Sequence, residues 1–200
     1  MKKRIMILLC CIIIAMASCG SPSSGTGQEA SPVVEKSLGA VSYQVPEDWV
    51  EASDPLTGVI YYRTDGYVLE VSRAENMGLE PDYLAENMDA FAGSMVEMIV
   101  GSKSQFSRMF EIETIDTVKL TDNNGDLEYD TREIADIKAF EGRVNFLIDD
   151  AEYQWHANVF IYEDGIYLFA GVSEAGKDYS KQYDAVVDSI EISTDQSANP

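Results

Sequence analysis

After position 19 this 200-residue chain has no cysteine; its three lie at positions 10, 11 and 19. Residues 20–200 therefore offer no disulfide, no thiol nucleophile and no cysteine metal site, and their stability rests on packing. Histidine is as scarce, with His156 alone. Neither GxGxxG nor GxxxxGK[ST] occurs, so the glycine-rich phosphate cradles are missing. Basic residues are few: 14 Lys and Arg stand against 35 Asp and Glu, a formal charge of −21. A surface of that sign repels phosphate backbones and anionic headgroups, which removes nucleic acid as an expected partner. It also means that any attachment to a membrane does not come from a basic protein face. The eleven-residue apolar run Ile5–Ala15 is too short to span a bilayer stably as a helix.

Lys2, Lys3 and Arg4 precede that run, and Met16-Ala17-Ser18-Cys19 follows it. The segment resembles a bacterial lipoprotein signal with its lipobox. The resemblance implies cleavage before Cys19, diacylglycerol on its thiol, and a lipid-anchored protein on the extracytoplasmic face of the bacterial cell membrane. The basic residues suit the cytoplasmic n-region, and Ser18 supplies the small residue that processing needs. Removing residues 1–18 leaves 182 residues, of which eleven are basic and 35 acidic, so the expected charge becomes −24. That length suffices for one domain with a core of its own. Residues 19–37 then read as the lipidated cysteine and a Gly/Ser/Pro-rich flexible tether. Residues 38–193 read as the domain, and 194–200 as a disordered tail.

Within the domain the pattern is α+β. Val41-Ser42-Tyr43-Gln44-Val45 alternates and stops at Pro46, a short edge-type strand. Asp65-Gly66 lies between the strand-like runs Ile60–Arg63 and Tyr67–Val71. Asp164-Gly165 lies between Phe160–Tyr162 and Ile166–Phe169, so both pairs predict hairpins of type I′. The second hairpin is apolar on both faces and predicts central strands covered above and below. Pro81 suits a first helical position, and Leu84, Met88, Phe91, Met95 and Met98 predict an amphipathic helix to about Gly101. Tyr179, Tyr183, Val186 and Ile190 predict a terminal helix. One apolar stripe per helix against a mostly antiparallel sheet makes a layered α+β domain.

Ser42-Tyr43-Gln44-Val45-Pro46-Glu47-Asp48-Trp49 resembles the opening strand and turn of PsbP-like proteins. Similarity continues through the Asp65-Gly66 hairpin, the helix at 81–100, the run Val159–Phe169 and the closing Tyr183–Ile190, covering roughly residues 38–193. The resemblance implies an α/β/α sandwich, with a mostly antiparallel sheet covered by helices. It also implies a binding or accessory role with no catalytic residues to transfer.

Candidate chemistry is sparse. Read as a twelve-residue calcium loop, residues 122–133 place Asp122, Asn124, Asp126, Asp130 and Glu133 at the ligand positions. Leu127 sits where the sharp turn wants glycine, and Ile112–Leu120 reads as a strand and not as an incoming helix. Asn124-Gly125 therefore reads as a turn, and no metal or cofactor is expected. His156 lies beside Trp155 in the predicted strand 153–162. As a general base it needs a carboxylate neighbour, and as a plain sheet-face histidine it needs none. Met88, Met95 and Met98 share the stripe of Leu84 and Phe91, which marks them as core filler and not as thioether ligands. Trp49, Tyr61, Tyr62, Tyr153 and Trp155 either line an aromatic binding face or pack the sheet.

The expected function is a lipid-anchored extracytoplasmic binding or accessory module, not an enzyme, acting through its surface on an envelope protein partner. Two alternatives belong to other classes. One is an envelope hydrolase with an acidic site, using His156 or a carboxylate as base. The other is a calcium-dependent adhesion module built on residues 122–133.

Overall fold

The computed structural model describes residues 32–54, 57–76, 78–121, 127–163 and 165–193. The predicted signal, Cys19, most of the tether and the predicted tail lie outside them. In chain order the elements are β1 (Val33–Leu38), β2 (Val41–Pro46), β3 (Val50–Ser53), β4 (Ile60–Thr64) and β5 (Tyr67–Glu75). Three helices follow, α1 (Tyr83–Glu86), α2 (Met88–Gly101) and α3 (Lys103–Phe110). The chain then forms β6 (Val118–Leu120), β7 (Glu128–Ile134), β8 (Ile137–Ile148), β9 (Ala151–Tyr162) and β10 (Gly165–Glu174). It closes with α4 (Ser180–Asp188) and β11 (Glu191–Ile192).

The strands make an eight-stranded sheet, ordered β3-β4-β5-β10-β9-β8-β6 with β7 also on β8, and a three-stranded sheet ordered β1-β2-β11. Every pairing is antiparallel. The domain is thus α+β, a mostly antiparallel sheet covered on both faces.

Period-two alternation divides the large sheet's side chains between two cores. On β9, Trp155, Ala157, Val159 and Ile161 join Leu84, Ala92, Ile99, Phe106 and Met109 from the helices α1–α3. Phe160 points the other way and joins Phe169, Tyr183, Val186, Val187 and the β2 residues Val41, Tyr43 and Val45. The central hairpin β9–β10 is apolar on both faces because both faces are covered, as its sequence predicts. Fully buried rings of this size each contribute about 1.5–3 kcal/mol by leaving water. Phe160 stacks on Tyr167 and Phe169 at centroid distances of 5.2 and 6.2 Å.

Several expectations change. The run read as tether includes β1, whose Val34 pairs with Val45, so ordered structure begins before residue 38. β2 is no edge strand: β1 and β11 flank it on both sides, and Pro46 closes it at the end where a missing N–H costs little. The helix predicted over 81–101 breaks at Asn87 into α1 and α2, and Pro81 lies in the preceding turn. A further helix, α3, follows Ser102, and Glu111 ends it in the left-handed region at φ 57°. Only 118–120 of the strand read at 112–120 pairs.

The hairpin turns also differ. At 65–66 only Gly66 has positive φ, so that turn is not type I′. The I′ geometry occurs instead at Ala135-Asp136 (φ 47° and 64°) and Asp149-Asp150 (φ 47° and 71°), with no glycine. Asp149 repays its own conformation, since its carboxylate accepts from the backbone N–H groups of Asp116 and Thr117 at 3.0 and 2.7 Å. The hairpin at 164–165 joins β9 to β10, with Asp164 outside the described residues. Among the described residues no helix is long and apolar enough to cross a membrane.

Candidate functional site

The polar centre of the domain lies on the α4 side of the sheet, where β7, β8 and β9 meet α4. The two-residue turn at 149–150 sets the β8–β9 register, which places Arg143 directly opposite His156 and Glu141 opposite Asn158. Directly opposed residues share a face, so His156, Arg143 and Glu141 come together beneath α4. Arg132 reaches the same place from β7, and Asp184 and Asp188, one helical turn apart on α4, approach from above.

His156 is buried, with its ring 4.0 Å from the ring of Tyr183. Its Nε2 lies 2.8 Å from Glu141 Oε1 and accepts from Arg143 Nε at 3.2 Å. Arg143 Nη2 donates to the same carboxylate oxygen at 3.0 Å. Arg132 makes a fork, Nη1 to Asp184 Oδ1 at 2.8 Å and Nη2 to Asp188 Oδ1 at 2.7 Å, and stands 3.7 Å from Glu141. Below the network, Tyr183 Oη lies 2.9 Å from both Asn158 Oδ1 and the carbonyl of Phe169.

The electrostatics follow from this packing. Burial is the largest influence on His156 and pushes its pKa down, with Arg143 adding to that and Glu141 opposing it. The imidazole is therefore neutral at neutral pH. Burial alone would raise Glu141, but the imidazole of His156 and the guanidinium of Arg143 at its oxygen outweigh it and hold the carboxyl below its ordinary value. Burial likewise opposes the charge on Arg132, and the bonds it donates to Asp184 and Asp188 overcome it.

Glu141, His156 and Asp184 bring one ligand atom each within 4.8 Å of one another, the one such group among the described residues. Arg132 and Arg143 already supply positive charge there. A divalent cation fits this donor set only by displacing both guanidinium groups. The cavity beside His156, bounded by Tyr67, Ser173, Tyr179 and Ser180, is about 20 Å³.

A buried acid, Glu70, lies on the opposite face of the sheet. It is 4% exposed, accepts from Gln105 Nε2 at 2.5 Å, and faces a cavity of about 10 Å³ among Met98, Phe106 and Trp155. Burial pushes its pKa up, against smaller lowering by Gln105, Arg108 and Ser72.

The structure sorts the sequence candidates. His156 has its carboxylate neighbour in Glu141. Asp130 and Glu133 lie on β7, three apart on a strand and hence on opposite faces, while Asp122, Asn124, Asp126 and Cys19 lie outside the described residues. Trp49, Tyr61, Tyr62, Tyr153 and Trp155 are all buried, so they pack the sheet and form no exposed face. Met88 and Met95 pack half-buried on the helix-side core. Glu141, Arg143, Arg132 and Asp184 were not singled out from the sequence. Reading Asp149-Asp150 as a two-residue turn pairs 143 with 156 and is the signal that finds Arg143 and Glu141.

Fold and site together define an α+β sandwich with an open antiparallel sheet and an internally paired charge network. Among solved structures the chain is similar to a protein of Bacteroides thetaiotaomicron VPI-5482, with 10% identity and a TM-score of 0.47. That match covers 80% of this chain and 48% of the other, so the chain spans about half the length of the Bacteroides protein. It is also similar to LpqN of Mycobacterium tuberculosis, a protein involved in cell envelope biogenesis, with 10% identity, 82% and 87% coverage and a TM-score of 0.46. No protein-family model matches the chain, and no curated protein does.

Proposed function

We propose that this protein is a lipid-anchored, extracytoplasmic module of the bacterial envelope that works by binding and not by catalysis. In this reading the domain is PsbP-like and acts on an envelope protein partner. The observation that carries the binding half is the pairing of Glu141 and His156. Both groups that would do acid–base work are committed to Arg143 and Arg132, and the space beside the imidazole is about 20 Å³. A general base needs a free lone pair for the proton it takes, and the one on His156 Nε2 is met by Arg143. The anchoring half rests on Met16-Ala17-Ser18-Cys19 after a basic, apolar leader. At about 0.8 kcal/mol per buried CH₂, two acyl chains hold a protein of this charge at a membrane that its surface does not attract.

Intact-mass analysis of the membrane-purified protein tests the anchor. A mass fitting diacylglycerol on Cys19, absent in Cys19→Ser, is the expected result; lipid retained on that variant overturns it. Cross-linking in intact cells, with reciprocal capture from the partner's side, tests the binding role. One stoichiometric envelope protein is expected. Turnover of a hydrolase substrate that depends on His156 or Glu141 overturns the non-catalytic reading.

A further inference from the structure

The α4 face of the large sheet is apolar only where α4 and the small sheet cover it. Beyond His156 the same face carries a polar row across four adjacent strands. Gln154 on β9 stands opposite Asn145 on β8 and opposite Ser173 on β10, and Ser173 stands opposite Tyr67 on β5. At 4.7–4.9 Å between strands, the row is about 14 Å long. An open groove of about 230 Å³ runs over Asn145, Gln154 and Ser173, walled by the turn 174–177. It shares Gln154 and Ser173 with the inner cavity beside His156, so the two form one depression.

At the inner end lies Tyr67 Oη. It is buried and has no hydrogen-bond partner; among the described residues only Arg63 Nε shares that state. The other fully buried tyrosine hydroxyls on this face are all paired. Tyr43 and Tyr62 bond each other at 2.9 Å, Tyr167 accepts from Ala40 N–H, and Tyr183 donates to Asn158 or Phe169. Gly171 makes room for the orphan, because a Cβ there would fall on Tyr67 Oη. A buried hydroxyl left unmet costs about 1–3 kcal/mol, so one held open beside a cavity invites a polar group from outside. The cavity of about 20 Å³ admits a single hydroxyl or water oxygen.

We propose that this groove and cavity bind an uncharged, hydroxyl-rich ligand of the carbohydrate class, with one hydroxyl inserted against Tyr67. Side-chain amides and hydroxyls both donate and accept, which matches sugar hydroxyls. The rim acids Glu152 and Glu174 repel anions, and the one lining cation, Lys177, is paired with Asp65 at 2.5 Å. The polar floor offers nothing to an acyl chain. This site is independent of the lipid anchor and of any protein partner.

The test is an amide-resolved NMR titration of the full chain in a detergent without a sugar headgroup, using glucose, N-acetylglucosamine and inorganic phosphate. Saturable shifts at Gly171, Ser173 and Gln154 with a sugar are expected. Affinity should fall at least about fivefold in Tyr67→Phe and be lost in Gln154→Ala, with the remaining spectrum unchanged. Shifts with phosphate alone, or no saturable shift with either sugar up to about 100 mM, overturn the proposal. In the latter case the cavity holds water only. Unchanged affinity in Tyr67→Phe overturns the role of the inner cavity.

Discussion

Arg143 Nε donates to His156 Nε2 at 3.2 Å across the β8–β9 pair, in the register position where the two residues stand directly opposite. A guanidinium is a permanent donor, so this bond requires the imidazole nitrogen to be unprotonated. The guanidinium therefore disfavours an imidazolium, while the carboxylate of Glu141, 2.8 Å from the same nitrogen, favours one, and burial tips the balance toward the neutral ring.

Acid should accordingly loosen this corner. The folded pKa of His156 lies below the ordinary imidazole value of 6.5, so the unfolded chain takes up that proton first. The stability from keeping it neutral is complete above about pH 6.5 and declines as pH falls toward the folded value. Glu141, held below its ordinary value, adds a loss of the same sign further down. Arg143→Ala removes one cause of the depression, so the His156 pKa should move up; ring proton shifts followed against pH check this. A value unchanged or lower contradicts the assignment.

Arg132 ties β7 to α4 through Asp184 and Asp188 and stands close to Glu141. Arg132→Met should cost about 2 kcal/mol, because three carboxylates lose a shared cation in a half-buried setting. For a domain of this size that is about 4–8 °C in melting temperature. Adding Asp184→Asn and Asp188→Asn should recover part of the loss, and calorimetry on the single and triple variants decides the matter. No recovery would mean that the fork contributes geometry and not charge.

Ala135 has φ 47° in the β7–β8 turn, where a Cβ is disfavoured. Ala135→Gly relieves that at the expense of greater freedom in the unfolded chain, and the net should be a gain of about 0.5–1 kcal/mol. A lower denaturant midpoint for the glycine variant would contradict this.

Glu70 works in the opposite sense to Glu141. Its folded pKa is raised by burial, so stability falls as pH rises from about the ordinary carboxyl value of 4.5 through the folded value. Glu70→Gln keeps an acceptor for Gln105 and removes the charge. The variant should match the native chain in acid and melt higher at neutral pH, as paired thermal scans at pH 4 and pH 7 will show.

Much of the architecture was legible locally. Alternation marked β2, Asp-Gly pairs between strand-like runs marked β4, β5, β9 and β10, helical spacing marked α2 and α4, and the two-faced apolar run of β9–β10 announced a sheet covered on both sides. The misses have physical causes. β1 hides in a Gly/Ser/Pro-rich stretch because six residues paired to β2 need no composition of their own. α3, KSQFSRMF, carries too few apolar residues to stand out, and Phe106 and Met109 make it a helix by packing on the sheet. The turns at 135–136 and 149–150 lack glycine, the usual sign of positive φ.

The charge network was less legible still. His156 was visible as the lone histidine, but its partners Glu141 and Arg143 were two of many acids and bases with nothing local to mark them. The chain by itself determined the excess of negative charge, the absence of thiol chemistry beyond Cys19, and the period that assigns each strand residue to a face. Tertiary structure alone decided which charges meet. Pairing across strands depends on register, and a single residue more or less in the turn at 149–150 would carry Arg143 and Glu141 to the other face.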